Sequence, residues 1–299
     1  MNPSILPINI VLPDGSMQEV VSGLLAKAGL PIIVGKKRVK EGRIAVPWID
    51  RVAFQRPQEI PHYLNAGHFD LAIVGEDWIA NWGYDFPVLL KLAIGRGGNK
   101  AVKIVLAVRE SSGFSTVADL PKGCDVATEY VQLVNRFFAG LDRTDIRVIP
   151  SCGNTEHKVH FGATGVVDVT ESGESLRENR LYVIHQIMES HTVVVANPSS
   201  FADDFKRPYL DCFARLLKGA SEASRYVLLT ANVPEKVLDD AARIIGGLKG
   251  PSRSPLTTAG WFALQSVVPR EKEHEVIFGL LQIGVTDIIV NREIPMIMS

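Results

Sequence analysis

The chain has 299 residues, 46% of them hydrophobic, and its 32 basic and 33 acidic side chains leave a formal net charge of -1. A chain of this length can bury more than one hydrophobic core, so we expect two or three domains. The balanced charge provides no broad electropositive surface, which argues against a nucleic-acid partner. The first residues lack the pattern of an export signal and no apolar run approaches the ~20 residues of a membrane span, so we expect a cytoplasmic protein without membrane contact.

In chain order, short β-branched runs alternate with amphipathic stretches. The runs that are typical of buried strands are residues 8–12, 70–74, 103–108, 166–169 and 192–195. Between them, residues 17–28 and 129–141 carry apolar side chains at three- and four-residue spacing, which is typical of helices packed on a sheet. This alternation predicts an α/β fold that binds ligands at the carboxyl ends of its strands.

The composition changes at two places that predict domain limits. The breaker-rich segment Gly95-Arg96-Gly97-Gly98-Asn99 predicts a hinge between two lobes with a ligand cleft between them. The end of the chain has a different pattern, βαββαβ, which predicts a separate ferredoxin-like unit. Its predicted elements are strand 226–230, helix 234–245, strand 253–256, strand 262–268, helix 271–283 and strand 287–290.

The cysteines and histidines do not show the spacing of a metal site. Cys124, Cys152 and Cys212 are scattered without a CxxC pair, so we expect them to be buried, reduced thiols. His157 and His160 form an i, i+3 pair without a third ligand, and we interpret both as ordinary helix or loop residues.

One segment carries the pattern of a phosphate site. An apolar strand ends in a turn of small residues that begins a helix, and the N–H groups left open at a helix start can bind a phosphomonoester together with neighbouring hydroxyls. Gly173 allows the backbone to approach a ligand closely. Asp168 and Glu171 would repel a phosphate unless they face ribose hydroxyls or a magnesium ion. The candidate binding residues are Asp168, Thr170, Glu171, Ser172, Gly173, Glu174 and Ser175. The alternative is a plain strand–turn–helix connection that Ser172 or Ser175 caps.

This segment resembles the phosphoribosyl-pyrophosphate signature of ATP phosphoribosyltransferases, an Asp-led strand followed by Ser/Thr-Gly-x-Thr, Leu and Asn, with Ser175 in place of the usual Thr. Other segments are similar to the family's motifs in the same order. They are Arg56-Pro57-Gln58-Glu59-Ile60-Pro61, Asp70-Leu71-Ala72-Ile73-Val74-Gly75-Glu76-Asp77, Val126-Ala127-Thr128-Glu129-Tyr130 and Gly153-Asn154-Thr155-Glu156. The last domain looks like the family's histidine-sensing domain, so the resemblance is to the long form and covers nearly the whole chain.

The resemblance implies a fold and a domain division. The catalytic part would be two-lobed and periplasmic-binding-protein-like, with lobe I in residues 1–97 and 184–222 and lobe II in residues 98–183. Residues 223–299 would form an ACT-like regulatory domain. It also implies a homo-oligomer, in a dimer-to-hexamer equilibrium, with histidine as inhibitor and AMP as a further ligand.

The implied reaction transfers phosphoribosyl from phosphoribosyl pyrophosphate to N1 of ATP, the first step of histidine biosynthesis. Mg²⁺ would act through the substrate phosphates, without a protein metal site, and we expect neither a side-chain nucleophile nor a covalent intermediate. The loop at 170–175 would hold the 5-phosphate, and Asp168 and Glu171 the ribose hydroxyls. The nucleotide would lie on the segment from Gly75 to Asp77 with Arg56. Asp70 and Glu156 complete the implied binding residues.

The sequence departs from the family at the end of its first strand. The family has Pro, Lys, Gly and Arg there, whereas this chain has Pro13-Asp14-Gly15-Ser16, so two cations near the expected pyrophosphate position are missing. Lys36, Lys37, Arg38 or a neighbouring subunit could supply the lost charge. This departure supports one alternative, a catalytically silent paralogue. A second alternative, an intracellular small-ligand sensor, stays open because the family's lobes share their fold with solute-binding receptors.

Overall fold

The apolar runs of the sequence form the central strands of a computed structural model that describes residues 7–34, 41–92, 94 and 101–292. The chain divides into two units, one of residues 1–26 and 30–214 and one of residues 27–29 and 215–299. The predicted hinge at 95–99 and the cations at 36–38 lie outside the described residues. Within the described part of the chain, no helix combines the length and apolarity needed to cross a membrane.

The first stretch of the chain builds most of one sheet. Its elements are β1 (Ile8–Pro13), α1 (Ser16–Lys27), β2 (Ile32–Val34), β3 (Glu41–Ile44), β4 (Ile49–Gln55), α2 (Ile60–Asn65), β5 (Leu71–Gly75), α3 (Glu76–Trp82) and β6 (Val88–Leu92). Strand β1 pairs in parallel with β4 on one edge and β5 on the other. A central parallel strand is covered on both faces, which explains why Ile8, Ile10 and Leu12 are fully buried.

The next stretch builds a second sheet. Its elements are β7 (Val102–Arg109), β8 (Asp125–Thr128), α4 (Val131–Ala139), β9 (Arg147–Pro150), β10 (Gly165–Thr170), α5 (Glu174–Glu178) and β11 (Leu181–Ser190). The strand order is β11-β7-β10-β8-β9. Strand β10 pairs in parallel with β8 and antiparallel with β7. Helix α4 buries Val134 and Phe138, four residues apart on one face.

The chain then returns to the first sheet through β12 (Thr192–Ala196), α6 (Pro198–Ala202) and α7 (Arg207–Ala223). Strand β12 inserts between β5 and β6 and is antiparallel to both. As far as the structure describes it, the first sheet has the order β2-β3-β4-β1-β5-β12-β6. The chain thus passes from the first sheet to the second and then returns to the first. This arrangement confirms the predicted two-lobed, periplasmic-binding-protein-like architecture.

The second unit contains the elements of the predicted ferredoxin-like domain. They are β13 (Tyr226–Pro234), α8 (Leu238–Ile245), β14 (Ser252–Pro255), β15 (Trp261–Pro269), α9 (Glu273–Gln282) and β16 (Asp287–Asn291). The sheet is antiparallel with the order β14-β15-β13-β16. Strand β13 is longer than predicted because its alternation of buried residues continues through Ala231 and Val233. The βαββαβ prediction is confirmed.

The prediction of three buried thiols was wrong for two of them. Cys124 is buried, whereas Cys152 and Cys212 are exposed. Cys152 follows the end of β9, and Cys212 lies on α7 between Leu210 and Phe213, which both face the core. A helix turns neighbouring residues by about 100°, so Cys212 points away from the buried side.

Candidate functional site

Three parallel strands of the first sheet end at the same edge. Strand β1 is followed by Asp14, β4 by Arg56, and β5 by Glu76 and Asp77 at the start of α3. The register aligns Pro13 with Gln55, so the residues after β1 and β4 are neighbours. This is the position at which open α/β sheets bind ligands.

A cavity of about 220 Å³ joins this edge to the end of β10 in the second sheet. Among the predicted site residues, Gly75 and Asp77 from the first sheet meet Thr170 and Glu171 from the second. The described residues that line the cavity are Pro13, Met17, Pro57, Val74, Gly75, Asp77, Trp78, Ile94, Val102, Tyr130, Val169, Thr170, Glu171, Ser190, His191 and Thr192.

The predicted phosphate loop, residues 170–175, leads from β10 into the short helix α5. Gly173 has φ +75°, a left-handed conformation that favours glycine. Its N–H donates to Thr170 Oγ1 at 2.9 Å, and the N–H of Glu174 donates to Ser172 Oγ at 3.3 Å. These hydroxyls therefore hold the turn in shape. Glu171, Ser172, Glu174 and Ser175 are exposed, while Leu176 anchors the loop in the core.

Asp168 lies two residues before Thr170 and so on the same face of β10. It is half-buried, and its Oδ1 accepts a hydrogen bond from the N–H of Val169 at 2.7 Å. The structure therefore places this carboxylate next to the phosphate loop but not among the residues that line the cavity.

Asp77 is the centre of a buried hydrogen-bond network in the cavity wall. The Tyr130 hydroxyl donates to its Oδ2 and the Ser190 hydroxyl to its Oδ1, both at 2.7 Å. The Tyr130 ring also packs on Trp78, with ring centroids 4.4 Å apart. Burial, together with the nearby Asp77 charge, raises the pKa of Tyr130 well above its usual value, so its hydroxyl stays protonated and remains a donor.

Gly75 has a steric role in this network. A Cβ at residue 75 would overlap the Asp77 carboxylate, so a larger residue would displace that side chain. The Gly-x-Asp spacing of the motif therefore has a physical reason. Of the other network members, Tyr130 lies in a matched motif and could have been predicted. Ser190 carries no local signal, because its contact with Asp77 spans 113 residues of sequence.

Asp70 does not lie at the cavity, and the interpretation of it as a substrate-binding residue has to be corrected. It precedes β5, at the opposite end from Gly75. Its carboxylate accepts hydrogen bonds from the N–H of Asn9 at 2.7 Å and from Ser200 Oγ and Lys206 Nζ at 2.6 Å. Because Asp70 is buried and held by these three donors, it joins β1 to α6 and the segment before α7.

Asp14 and Arg56 lie at the cavity edge, outside the lining residues. Asp14 is buried and Arg56 is 70% exposed, with 3.9 Å between Asp14 Oδ2 and Arg56 Nε. The acidic residue that replaces a family cation thus partly offsets the nearby arginine charge. Gly15 has φ +70° and makes the turn into α1, which begins at the exposed Ser16.

Glu156 lies in a 3₁₀ segment, Thr155–Phe161, and not among the lining residues. Its Oε1 is 4.0 Å from Nε2 of His157. In the part of the chain that is described, no group of three or more His, Cys, Asp or Glu side chains is arranged to hold a metal ion.

The cavity rim carries a charged cluster that the sequence did not indicate. Glu76 Oε1 is 2.7 Å from Lys91 Nζ, and its Oε2 is 3.1 Å from His191 Nδ1. Burial alone would raise the pKa of Glu76, but hydrogen bonds from Lys91 and His191 outweigh it and lower the pKa. The Glu76 carboxyl is therefore ionised at neutral pH.

The fold and the cavity define a two-lobed α/β protein that has a cavity at its strand ends and carries a separate ferredoxin-like domain. The family model described as ATP phosphoribosyltransferase matches residues 56–219, and the one described as HisG, C-terminal domain matches residues 223–292. The chain belongs to the ATP phosphoribosyltransferase family, in its long form. It is thus a pentosyltransferase of the first step of histidine biosynthesis.

Relatives and solved structures agree with this assignment. The ATP phosphoribosyltransferase from Prosthecochloris aestuarii is 35% identical to this chain, over 93% of this chain and 93% of the relative. The one from Desulfosudis oleivorans is 33% identical, over 93% of this chain and 94% of the relative. The ATP phosphoribosyl transferase (HisG:HisZ) complex from Thermotoga maritima contains a chain with 25% identity and a TM-score of 0.62. That similarity covers 72% of this chain and 98% of the other.

Proposed function

We propose that this one cavity binds both substrates, phosphoribosyl pyrophosphate on the phosphate loop and ATP on the wall of the first sheet. N1 of ATP would then displace pyrophosphate from the anomeric carbon. The observation that carries the proposal is the meeting of Thr170 and Glu171 with Gly75 and Asp77 around a single cavity. Such a displacement depends on positioning and charge stabilisation more than on a protein nucleophile.

On the sugar-phosphate side, the loop would hold the 5-phosphate through its main-chain N–H groups and the hydroxyls of Thr170, Ser172 and Ser175. The N–H groups of Gly173 and Glu174 would exchange their bonds to Thr170 and Ser172 for phosphate oxygens. The left-handed turn at Gly173 and the exposure of the loop support this role. Asp168 and Glu171 would bind the ribose hydroxyls, since carboxylates next to a phosphate are repulsive unless they accept hydrogen bonds.

On the nucleotide side, Val74 and Trp78 offer an apolar wall for the purine, and Asp77 offers a carboxylate in a fixed orientation. Arg56 would approach the nucleotide phosphates from the cavity edge. The nearby Asp14 carboxylate weakens that contribution, so this chain should depend more on other groups for phosphate binding than its relatives do.

Magnesium is the proposed cation. The substrate phosphates would hold it, since their oxygens are the ligand type that Mg²⁺ prefers. When bound, the ion would neutralise charge on the departing pyrophosphate.

The family match over both domains favours the enzyme over the two alternatives, the silent paralogue and the small-ligand sensor. We further propose catalytic lobes at 1–97 with 184–222 and at 98–183, and a regulatory domain at 223–299 that binds histidine. We also propose that the chain binds AMP, that it forms a homo-oligomer, either a dimer or a hexamer, and that it is located in the cytoplasm. The complex formed by the Thermotoga maritima protein supports assembly in general.

A direct assay tests the proposed reaction. The purified chain is mixed with ATP, phosphoribosyl pyrophosphate, magnesium and pyrophosphatase, and the ultraviolet absorbance of the adduct is followed with and without histidine. Adduct formation that histidine suppresses is expected. A folded chain that binds ATP without making adduct would support the silent paralogue instead.

The phosphate loop is tested by Gly173→Val. A valine at φ +75° strains the turn and its side chain meets Arg177, so we expect KM for phosphoribosyl pyrophosphate to rise by about tenfold or more while KM for ATP stays similar. Gly113→Val is the matched control, because Gly113 has the same φ with open space around it and lies away from the cavity. Equal kinetics in the two variants would reject the loop assignment.

A further inference from the structure

His191 lines the cavity but has no part in the proposed substrate binding. It lies between β11 and β12, where the chain crosses from the second sheet back to the first. An imidazole ring has a nitrogen that can accept a proton, which makes His191 a candidate for proton transfer.

The imidazole of His191 is held in one orientation by Glu76. Glu76 Oε2 is 3.1 Å from the ring Nδ1 and accepts the His191 backbone N–H at 3.0 Å. The Glu76 N–H in turn donates to the His191 carbonyl oxygen at 2.9 Å. Lys91 fixes the other carboxylate oxygen at 2.7 Å. A carboxylate that orients an imidazole is the usual arrangement of a positioned general base.

The charge on Glu76 decides which ring nitrogen is available. An ionised carboxylate only accepts hydrogen bonds, so Nδ1 of His191 carries the hydrogen and the neutral ring keeps its lone pair on Nε2. Nε2 is 3.9 Å from Oε1 of Glu189 on β11, beyond hydrogen-bond range. Among the described residues, the charged groups that lie close to the ring, at 3.1 and 3.9 Å, are Glu76 on α3 and Glu189 on β11, and Lys91 of β6 pairs with Glu76.

The reaction turns the exocyclic amine of adenine into a better proton donor. When N1 of adenine forms a bond to the anomeric carbon, positive charge spreads over N1, C6 and the exocyclic N6. Loss of an N6 proton restores a neutral base. Asp77 is a weak candidate because both of its oxygens already accept hydroxyl hydrogens, and Glu171 lies on the sugar-phosphate side.

We propose that His191 is the general base of the transfer. The proposal rests on the proposed placement of the two substrates. The N1 lone pair forms the bond to the anomeric carbon, and the bond from that carbon to the pyrophosphate oxygen breaks with its electron pair on pyrophosphate. The N6 proton moves to Nε2 of His191. Glu76 and Glu189 then stabilise the imidazolium until it releases the proton to solvent.

The test compares kcat, KM and the pH profile of wild type and His191→Gln. Glutamine keeps polarity but cannot take up a proton, so kcat should fall by about 100-fold, the lower end of what a positioned base contributes. Both KM values should change little, and kcat should fall toward acid pH in wild type but not in His191→Gln. His185→Gln, an exposed histidine of β11 away from the cavity, is the matched control and should behave as wild type.

A second measurement separates chemistry from structure. In His191→Ala, added imidazole should restore part of kcat if the ring acts as a base. The inference is overturned if His191→Gln retains kcat and the acidic limb, or if His191→Ala is impaired mainly in KM and imidazole restores nothing. A wild-type chain that makes no adduct would instead refute the proposed function, so the two failures are distinguishable.

Discussion

At the scale of single residues, strand β5 separates two buried aspartates with different tasks. Asp70, before the strand, accepts hydrogen bonds from a lysine, a serine and a main-chain N–H, which ties three elements together. Asp77, just beyond the strand, accepts from two hydroxyls and faces the cavity. Asp70 thus has a charged partner, which favours stability, whereas the two hydroxyl donors fix the orientation of the Asp77 carboxylate at the cavity.

Asp70→Asn should therefore destabilise the fold without impairing binding. Lys206 would lose its buried partner, and such a loss costs roughly 2–4 kcal/mol in the free energy of unfolding. Denaturant titration measures that loss, and KM for ATP should stay within about twofold of wild type. Asp77→Asn is the matched comparison and should raise KM for ATP. A large rise in the KM for ATP of Asp70→Asn would support the original assignment of Asp70 as a substrate-binding residue.

Gly75→Ala tests the steric role of Gly75. The new methyl group would push the Asp77 carboxylate away from its hydroxyl partners, and one charge-assisted hydrogen bond is worth about 1.5–3 kcal/mol. We therefore expect KM for ATP to rise by about tenfold or more. Gly23→Ala, in the interior of α1 with open space around it, is the control and should leave KM unchanged. An unchanged KM in Gly75→Ala would contradict the steric account.

The motifs of the family resemblance include several residues that line the cavity, but they miss those that tertiary contacts bring there. Gly75, Asp77 and Thr170 stand in matched motifs and all line the cavity. Ser190 and His191 reach it through contacts of 113 and 115 residues in sequence separation, which no short spacing can indicate. Asp70 was misplaced because motif membership does not tell which end of a strand a side chain occupies.

At the scale of elements, an ion pair joins a helix start to a strand end in the second unit. Arg292, after β16, donates to both oxygens of the buried Glu273 at the start of α9. These hydrogen bonds lower the pKa of Glu273 from its ordinary value of about 4.5. Hydrophobic periodicity predicted both elements, but it could not predict this polar contact.

The lowered pKa gives a pH-dependent stability. A carboxyl whose pKa is depressed in the folded state stabilises the fold above its unfolded pKa, and that contribution is lost as pH falls through the folded value. Unfolding of the second unit should therefore become easier below about pH 4.5, where Glu273 begins to be protonated. Melting curves of Glu273→Gln should show a smaller loss of stability in the same acid range. Parallel curves for the two proteins would argue against the ion pair.

At the scale of the whole molecule, the two units correspond to separable parts of the family. The similarity to the Thermotoga maritima chain extends over 98% of that chain but only 72% of this one. The family model of the HisG C-terminal domain matches residues 223–292. The alternation of strands and helices predicted both architectures. The resemblance implied that the chain returns to the first lobe, but the position of β12 between β5 and β6 could not be predicted, because strand order depends on long-range pairing.

A chain that ends at Ala223, the last residue of α7, tests this division. We expect it to fold, because a relative of about that extent exists as a chain of its own, and to lose inhibition by histidine. Circular dichroism checks folding, and the adduct assay with and without histidine checks regulation. Inhibition that persists in the shortened chain would refute the regulatory role of the second unit.

The cavity is assembled from chain positions as distant as Pro13 and Thr192. During translation, a ribosome-bound chain that has exposed only its first 150 residues lacks Thr170, Glu171 and His191, and the first sheet still lacks β12. Substrate affinity should thus arise late and abruptly, once the returning strand has left the exit tunnel. Ligands can then stabilise only molecules whose synthesis has passed that point, which leaves earlier intermediates dependent on their own local packing.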